Sequence, residues 1–414
     1  MPRDVYLLGG WQSDFAENWQ RSGRELFDVF RDSVLRGLDA TRLAPADVQV
    51  AHVGNFAAEL FCNQGHLGGF FAACHPALDG IPAGRHEGAC ASGSLAALAA
   101  AADIEAGRYD LAAVVGIEQM RNVPGQQAAA YIGGPAMWSG HECTDVRFPW
   151  PHLFSELGDE YARRFGLEQR HLARIAEINF ANARRNPLAQ TRQWKFTNAS
   201  FGTDDQANPV IEGRIRKQDC GQITDGAVVL FLASAERAAA WARAGGIALS
   251  ALPRIAGWGH RTAPISYASK VDASRGGPYV FPQVRRAILD AFARAGLEGA
   301  RDLDAIETHD CFTTTEYMAI DHFGITPPGQ SWRAIESGEI EIGGALPVNP
   351  SGGLIGLGHP VGATGVRMLL DAWRQCTDAA GDYQVDGARR VATLNIGGSA
   401  TTTLCFIVAR EDQP

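Results

Sequence analysis

The stretch GACASGSLAALAAAA, residues 88–102, sets a cysteine in front of a run of small helix formers. It reads as a strand-to-helix turn with Cys90 held against the positive end of a helix, where free backbone N–H groups favour a thiolate over a thiol. Small neighbours let a substrate carbonyl approach the sulfur, so Cys90 is a candidate nucleophile for acyl transfer. A buried apolar cysteine is the plain alternative, and this stretch alone leaves both open.

Outward from that turn, the chain repeats its own order. Residues 25–40 carry apolar side chains at helical spacing and lead to the alternating stretch 48–53. Residues 281–297 do the same and lead to 303–308. The helix after Cys90 is followed by a buried strand at 110–118; the helix 366–375, which follows His359, is followed by a buried strand at 391–395. This order predicts an α/β protein built from two duplicated βα halves, with parallel strands covered by helices. Between them, 119–222 reads as an insertion on the first half, with Trp138, Pro149, Trp150 and Pro151 in loops suited to cover a site and a helix around 171–185. A strand at 226–234 returns to the first half, and 401–408 forms a hairpin with the strand before it. The expected limits are 1–118 with 223–250 for the N-terminal core, 119–222 for the insertion and 251–414 for the C-terminal core.

Composition narrows the function. Across 414 residues, 46% are hydrophobic and 20% charged, as in an ordinary soluble globular protein. A net charge of −9 argues against a nucleic-acid partner and leaves room for a local basic patch facing one small anion. No apolar run reaches bilayer-spanning length, so no membrane span is expected. The start, Met1-Pro2-Arg3-Asp4, lacks a secretory pattern, and the end, Glu411-Asp412-Gln413-Pro414, is not a Ser-Lys-Leu address. The eight cysteines form no Cys-x-x-Cys pair, so no metal site is expected, and scattered thiols place the chain in the cytoplasm.

Three further segments carry candidate chemistry. His309-Asp310-Cys311-Phe312 follows a strand, at the end where parallel sheets bind ligands; a structural histidine beside a packed cysteine is the alternative. In Gly358-His359-Pro360-Val361-Gly362-Ala363-Thr364-Gly365 a histidine sits among glycines and is stiffened by proline, ready to take a thiol proton or donate to an oxyanion. A phosphate-cradling loop is the alternative, but Gly-x-Gly-x-x-Gly spacing and a Walker lysine are missing. In Asn395-Ile396-Gly397-Gly398-Ser399, a backbone N–H can pair with that of Cys90 as an oxyanion hole; a tight β-turn is the alternative.

Taken together, these motifs resemble the thiolase superfamily over nearly the whole chain. Cys90-Ala91-Ser92 matches its nucleophile motif, Gly358 to Gly365 its Gly-His-Pro and Gly-Ala-Thr-Gly motifs, and 181–192 its loop-domain segment. Asn395 stands where most thiolases carry a second cysteine, and His309-Asp310-Cys311-Phe312 replaces the usual Asn-Glu-Ala-Phe. That paired change is characteristic of the sterol-carrier-protein-type thiolases.

The resemblance implies a layered α/β/α/β/α thiolase fold with an inserted loop domain, and an acyl-CoA C-acyltransferase that makes or cleaves 3-oxoacyl-CoA. Cys90 would carry the acyl group, His359 take its proton, Cys311 act as acid/base, and His309 hold a water in one oxyanion hole. The N–H groups of Cys90 and Gly397 would form the other hole. No cofactor is implied, since coenzyme A enters as substrate, and the chain is expected to form a homodimer or dimer of dimers. A second thiol near neutrality would suit repeated α-proton transfer. The segment 219–226 departs from the stretch through which many thiolases touch pantetheine, so the residues contacting coenzyme A stay unassigned. Arg214-Ile215-Arg216-Lys217 is a candidate phosphate contact or a solvated surface, and 138–154 a candidate acyl-pocket wall or core packing. Two other readings are kept. One is an acyltransferase or aldol lyase acting with a small zinc-ribbon/OB-fold partner, although an aldol lyase would not need Cys90; the other is a non-catalytic coenzyme A or lipid-binding protein.

Overall fold

The computed structural model describes residues 3–411; Met1, Pro2 and 412–414, on which the terminal-segment readings partly rest, lie outside the described residues. In chain order the strands are β1 (Val5–Gln12), β2 (Val50–Gly54), β3 (Ala83–His86), β4 (Leu111–Glu118), β5 (Val210–Glu212), β6 (Ile215–Arg216), β7 (Gly226–Ser234), β8 (Arg254–Thr262), β9 (Ala305–Thr308), β10 (Arg390–Gly397) and β11 (Thr402–Ala409). Nine of them form one sheet in the order β3-β2-β4-β7-β1-β8-β11-β10-β9.

The sheet is two copies of one pattern. In the first half β2 runs parallel to β3 and β4, β4 antiparallel to β7, and β7 antiparallel to β1. In the second half β9 runs parallel to β10, β10 antiparallel to β11, and β11 antiparallel to β8. The counterpart of β3 shrinks to a single bridge between Ile306 and Val348. A lone antiparallel pair, Tyr6 with Arg254, joins the halves. The expected β10–β11 hairpin forms over its full length.

The layers follow from where the apolar stripes point. Helix Leu26–Thr41 covers β1 and β7 from outside, and helix Pro282–Ala295 covers β8 and β11 in the same way. Helices Ser92–Glu105 and Thr364–Cys376 pack on each other between the half-sheets, their Ala97, Ala100, Val366 and Leu369 in one continuous core. This is the α/β/α/β/α arrangement.

Two features differ from the sequence reading. Pro149 and Pro151, read as loop, open the helix Pro149–Phe165; in a first turn the missing N–H has no helical partner to lose. Strands β1 and β8 had no clear signal, because each carries two glycines. In β8 those glycines let the covering helix settle onto the backbone: a Cβ at Gly259 would lie 1.9 Å from the Ala287 carbonyl oxygen. The segment 119–222 adds no strand to the large sheet.

Candidate active site

Cys90 lies between β3 and the helix Ser92–Glu105, in a short helical turn over Ala89–Ala91. Ala89 holds φ +51°, a left-handed value that a Cβ makes unfavourable. The Ser92 hydroxyl pins that turn, accepting from the Gly88 N–H at 3.0 Å and donating to the Ala89 carbonyl at 2.6 Å. The Gly398 N–H is directed at the Cys90 sulfur.

His309 and Cys311 occupy the turn between β9 and the helix Thr313–Phe323. Asp310 faces away from them. Its carboxylate accepts from the Leu354 N–H at 2.6 Å, the Ile355 N–H at 3.2 Å and the Asn179 amide at 2.9 Å. That clamp ties the turn to the segment that delivers His359, and the Cys311 carbonyl is tied to the Gly221 N–H at 2.7 Å.

His359 is oriented by the threonine of the glycine-rich motif. Its Nδ1 lies 2.7 Å from Thr364 Oγ1, whose own proton goes to the Pro360 carbonyl at 3.1 Å. Nδ1 therefore carries the hydrogen and donates it. Nε2 is left with a lone pair, buried and without a hydrogen-bond partner among the described residues. The His359 N–H donates to Thr224 Oγ1 at 2.9 Å.

These groups converge. A cavity of about 450 Å³ is lined by Cys90, His309, Cys311, His359 and Gly398. One ligand-type atom each of Cys90, His309 and His359 lies within 4.8 Å of the other two. The imidazoles stand nearly perpendicular, with centroids 5.3 Å apart. Gly397 does not line the cavity; it backs onto the Gly88 carbonyl, 2.0 Å from where its Cβ would be.

Burial sets the charges. It pushes the His359 imidazole down to about 3, helped by the Arg367 cation, and His309 well below the usual histidine range, so both rings are neutral. It pushes the Cys90 thiol up to about 12 and Cys311 further above the ordinary thiol value. The sequence suggested the opposite direction for Cys90 and a near-neutral Cys311. The N–H from Gly398 does lower Cys90, but desolvation outweighs it.

The walls are mainly apolar. Phe148, Trp150 and Phe154 of the 138–154 segment line the cavity, Phe154 stacks on Phe312 with centroids 4.9 Å apart, and Trp138 stays exposed. Of the basic run, Arg214 pairs with Asp159 and Arg216 with Asp205, Ile215 is buried, and Lys217 reaches the cavity alongside Arg147. The divergent 219–226 segment runs through the site, with Cys220 to Ile223 on its wall. Thr224 and Ser94 were not singled out in the sequence, and Thr364 and Asn395 were read only as motif positions, without the partners they contact. Thr364 was visible inside the glycine motif; the partners of the others lie far off in the chain.

Family models described as "Thiolase, N-terminal domain" and "Thiolase C-terminal domain-like" match residues 24–198 and 268–410. An acetyl-CoA acetyltransferase of Methanothermobacter thermautotrophicus is 31% identical over 99% of this chain and 100% of its own length. Human sterol carrier protein 2 is 26% identical over 97% of this chain and 72% of that protein. Among solved structures, the Ltp2-ChsH2(DUF35) aldolase has a TM-score of 0.78 at 19% identity, covering 100% of this chain and 99% of that one. Human mitochondrial 3-ketoacyl-CoA thiolase has 0.71 at 15%, covering 99% of both.

Proposed function

The chain is an enzyme of the thiolase family, and from that premise we propose that it cleaves or forms 3-oxoacyl-CoA through an acyl thioester on Cys90. The observation that carries this reading is the meeting of Cys90, His309, Cys311 and His359 on one cavity.

The protons balance in the cleavage direction. As the Cys90 sulfur attacks the 3-oxo carbonyl, its proton passes to Nε2 of His359; a neutral buried thiol needs such a base during attack, not before it. The oxyanion collapses, the bond between the second and third carbons breaks, and the Cys311 S–H protonates the departing carbanion. The thiol of incoming coenzyme A returns a proton to Cys311. Its sulfur attacks the S-acyl group, and Cys90 leaves with the proton held on His359. A Cys311 thiol that stays protonated at rest suits this acid role. Condensation is the same path reversed. Arg147 and Lys217, which pair with no carboxylate among the described residues, are the proposed contacts for the substrate's phosphates.

Half-reactions test the assignment. A Cys311→Ala variant should keep exchange of acyl groups between acyl-CoA and labelled coenzyme A, which needs Cys90 and His359. It should lose 3-oxoacyl-CoA cleavage by roughly 100- to 10,000-fold, the range for a positioned proton donor. Cleavage at the parental rate would remove Cys311 from the mechanism. A second reading adds a small zinc-ribbon/OB-fold partner, in line with the DUF35 component named in the aldolase of like fold. It expects activity only after co-expression with that partner, and full turnover by the purified chain alone would exclude it.

A further inference from the structure

We propose that Asn395 is a positioning residue that fixes the proton of His309 on Nε2, so that this ring meets the substrate oxygen as a donor while His359 meets the thiol as an acceptor. The inference rests on the acyl-transfer reading above.

Three elements meet at Asn395: β10, which carries it, the helix Ser92–Glu105 and the helix Thr364–Cys376. The Ser94 hydroxyl donates to Asn395 Oδ1 at 2.9 Å, with both side chains buried. The amide is placed so that Nδ2 is the atom facing His309 Nδ1, at 3.3 Å. An amide nitrogen offers only hydrogens. His309 Nδ1 must accept, and a neutral imidazole then carries its one proton on Nε2. Gly365 makes the relay sterically possible. A Cβ there would lie 2.3 Å from the Ser94 N and Oγ and 2.6 Å from Asn395 Oδ1.

The other ring is set the opposite way, because Thr364 takes its Nδ1–H and leaves Nε2 as a lone pair. One perpendicular pair of rings thus offers one acceptor and one donor. Thioester attack needs both: a proton leaves sulfur and negative charge grows on oxygen. Two acceptors would leave the oxyanion without a ring donor, and two donors would leave the thiol proton nowhere to go. The same assignment speaks against reading Cys90, His309 and His359 as a cation site, since a ring nitrogen that bears its proton has no lone pair to give a metal.

The test is long-range proton–nitrogen NMR on protein labelled with ¹⁵N-histidine, paired with kinetics. In the parent, His309 should show a protonated Nε2 and a bare Nδ1, with His359 reversed. Asn395→Asp puts an acceptor where the amide donated, and should move the His309 proton to Nδ1. It should lower kcat by about 100- to 1000-fold, the usual cost of one oxyanion donor, with KM nearly unchanged and Cys90 still alkylated by iodoacetamide. Ser94→Ala, which frees the amide to flip, should give mixed tautomers and about a 10-fold loss; it serves if the aspartate variant does not fold. A parent His309 protonated on Nδ1, or an aspartate variant that keeps both the Nε2 proton and kcat, would overturn the proposal. A parent with the expected tautomers but no acyl transfer from any thioester would sink the functional reading while leaving the tautomer assignment standing.

Discussion

His359 has a titration that reaches beyond the reaction. Its imidazole is held down to about 3 in the folded protein, against about 6.5 for a free histidine. Between those values the unfolded chain binds a proton that the folded chain refuses. Stability contributed by this residue is therefore complete above pH 6.5 and falls as pH drops towards 3, by about 1.4 kcal/mol per pH unit. A His359→Gln variant should show a shallower loss of urea stability between pH 6.5 and 5 than the parent, by about that slope. Parallel profiles would show that the ring protonates freely in the fold. Glu118 works in the other sense. Burial raises it to about 7, and it takes up a proton on folding below that pH, so the comparison of parent with variant is needed to isolate His359.

At this scale the candidates that meet on the cavity were legible, because Cys90, His309, Cys311 and His359 each sit in a short motif after a strand. Their protonation was not. It depends on desolvation by the opposite half of the chain, and on partners such as Thr224 and Asn395 whose contacts no local pattern encodes.

The elements place these residues by close approach at glycines. A Cβ at Gly93, in the first turn of the helix behind Cys90, would lie 2.7 Å from the Gly362 carbonyl oxygen and 3.0 Å from the Val366 nitrogen. The N-terminus of one central helix thus rests directly on the loop that carries His359. Gly93→Ala should destabilise the protein by about 1–3 kcal/mol, as overpacking of a filled core does, and should slow acyl transfer by separating the two loops. Gly69→Ala is the matched control, because nothing lies within 4 Å of its would-be Cβ; urea unfolding should find it near the parent. Equal loss in both would remove the packing argument. The central helices were visible from their small and apolar residues, and the β10–β11 hairpin from its spacing. The glycine-bearing strands β1 and β8 and the proline-opened helix were not, since in each the neighbouring element, not the segment's own propensity, decides the conformation.

In the whole molecule the proposed reacting groups come from both halves: Cys90 from the first, the other three from the second. The duplication therefore builds one cavity at its junction, walled by the insertion. Its aromatic wall predicts a preference. Phe154→Ala should raise KM for medium-chain 3-oxoacyl-CoA by roughly 10-fold through lost apolar contact, and leave acetoacetyl-CoA little changed; an equal effect on both would assign Phe154 to packing alone. The overall plan was readable because helix–strand order recurs along the chain, whereas the shape of the junction follows from packing between segments more than two hundred residues apart.

The central claim is that carbon–carbon chemistry runs through a thioester on Cys90. Mass spectrometry of the protein quenched during turnover of a 3-oxoacyl-CoA tests it most directly. The peptide bearing Cys90 should gain the mass of the acyl group, and Cys90→Ala should abolish both adduct and cleavage. Continued cleavage with residue 90 unmodified, or the acyl group on Cys311 instead, would contradict the account.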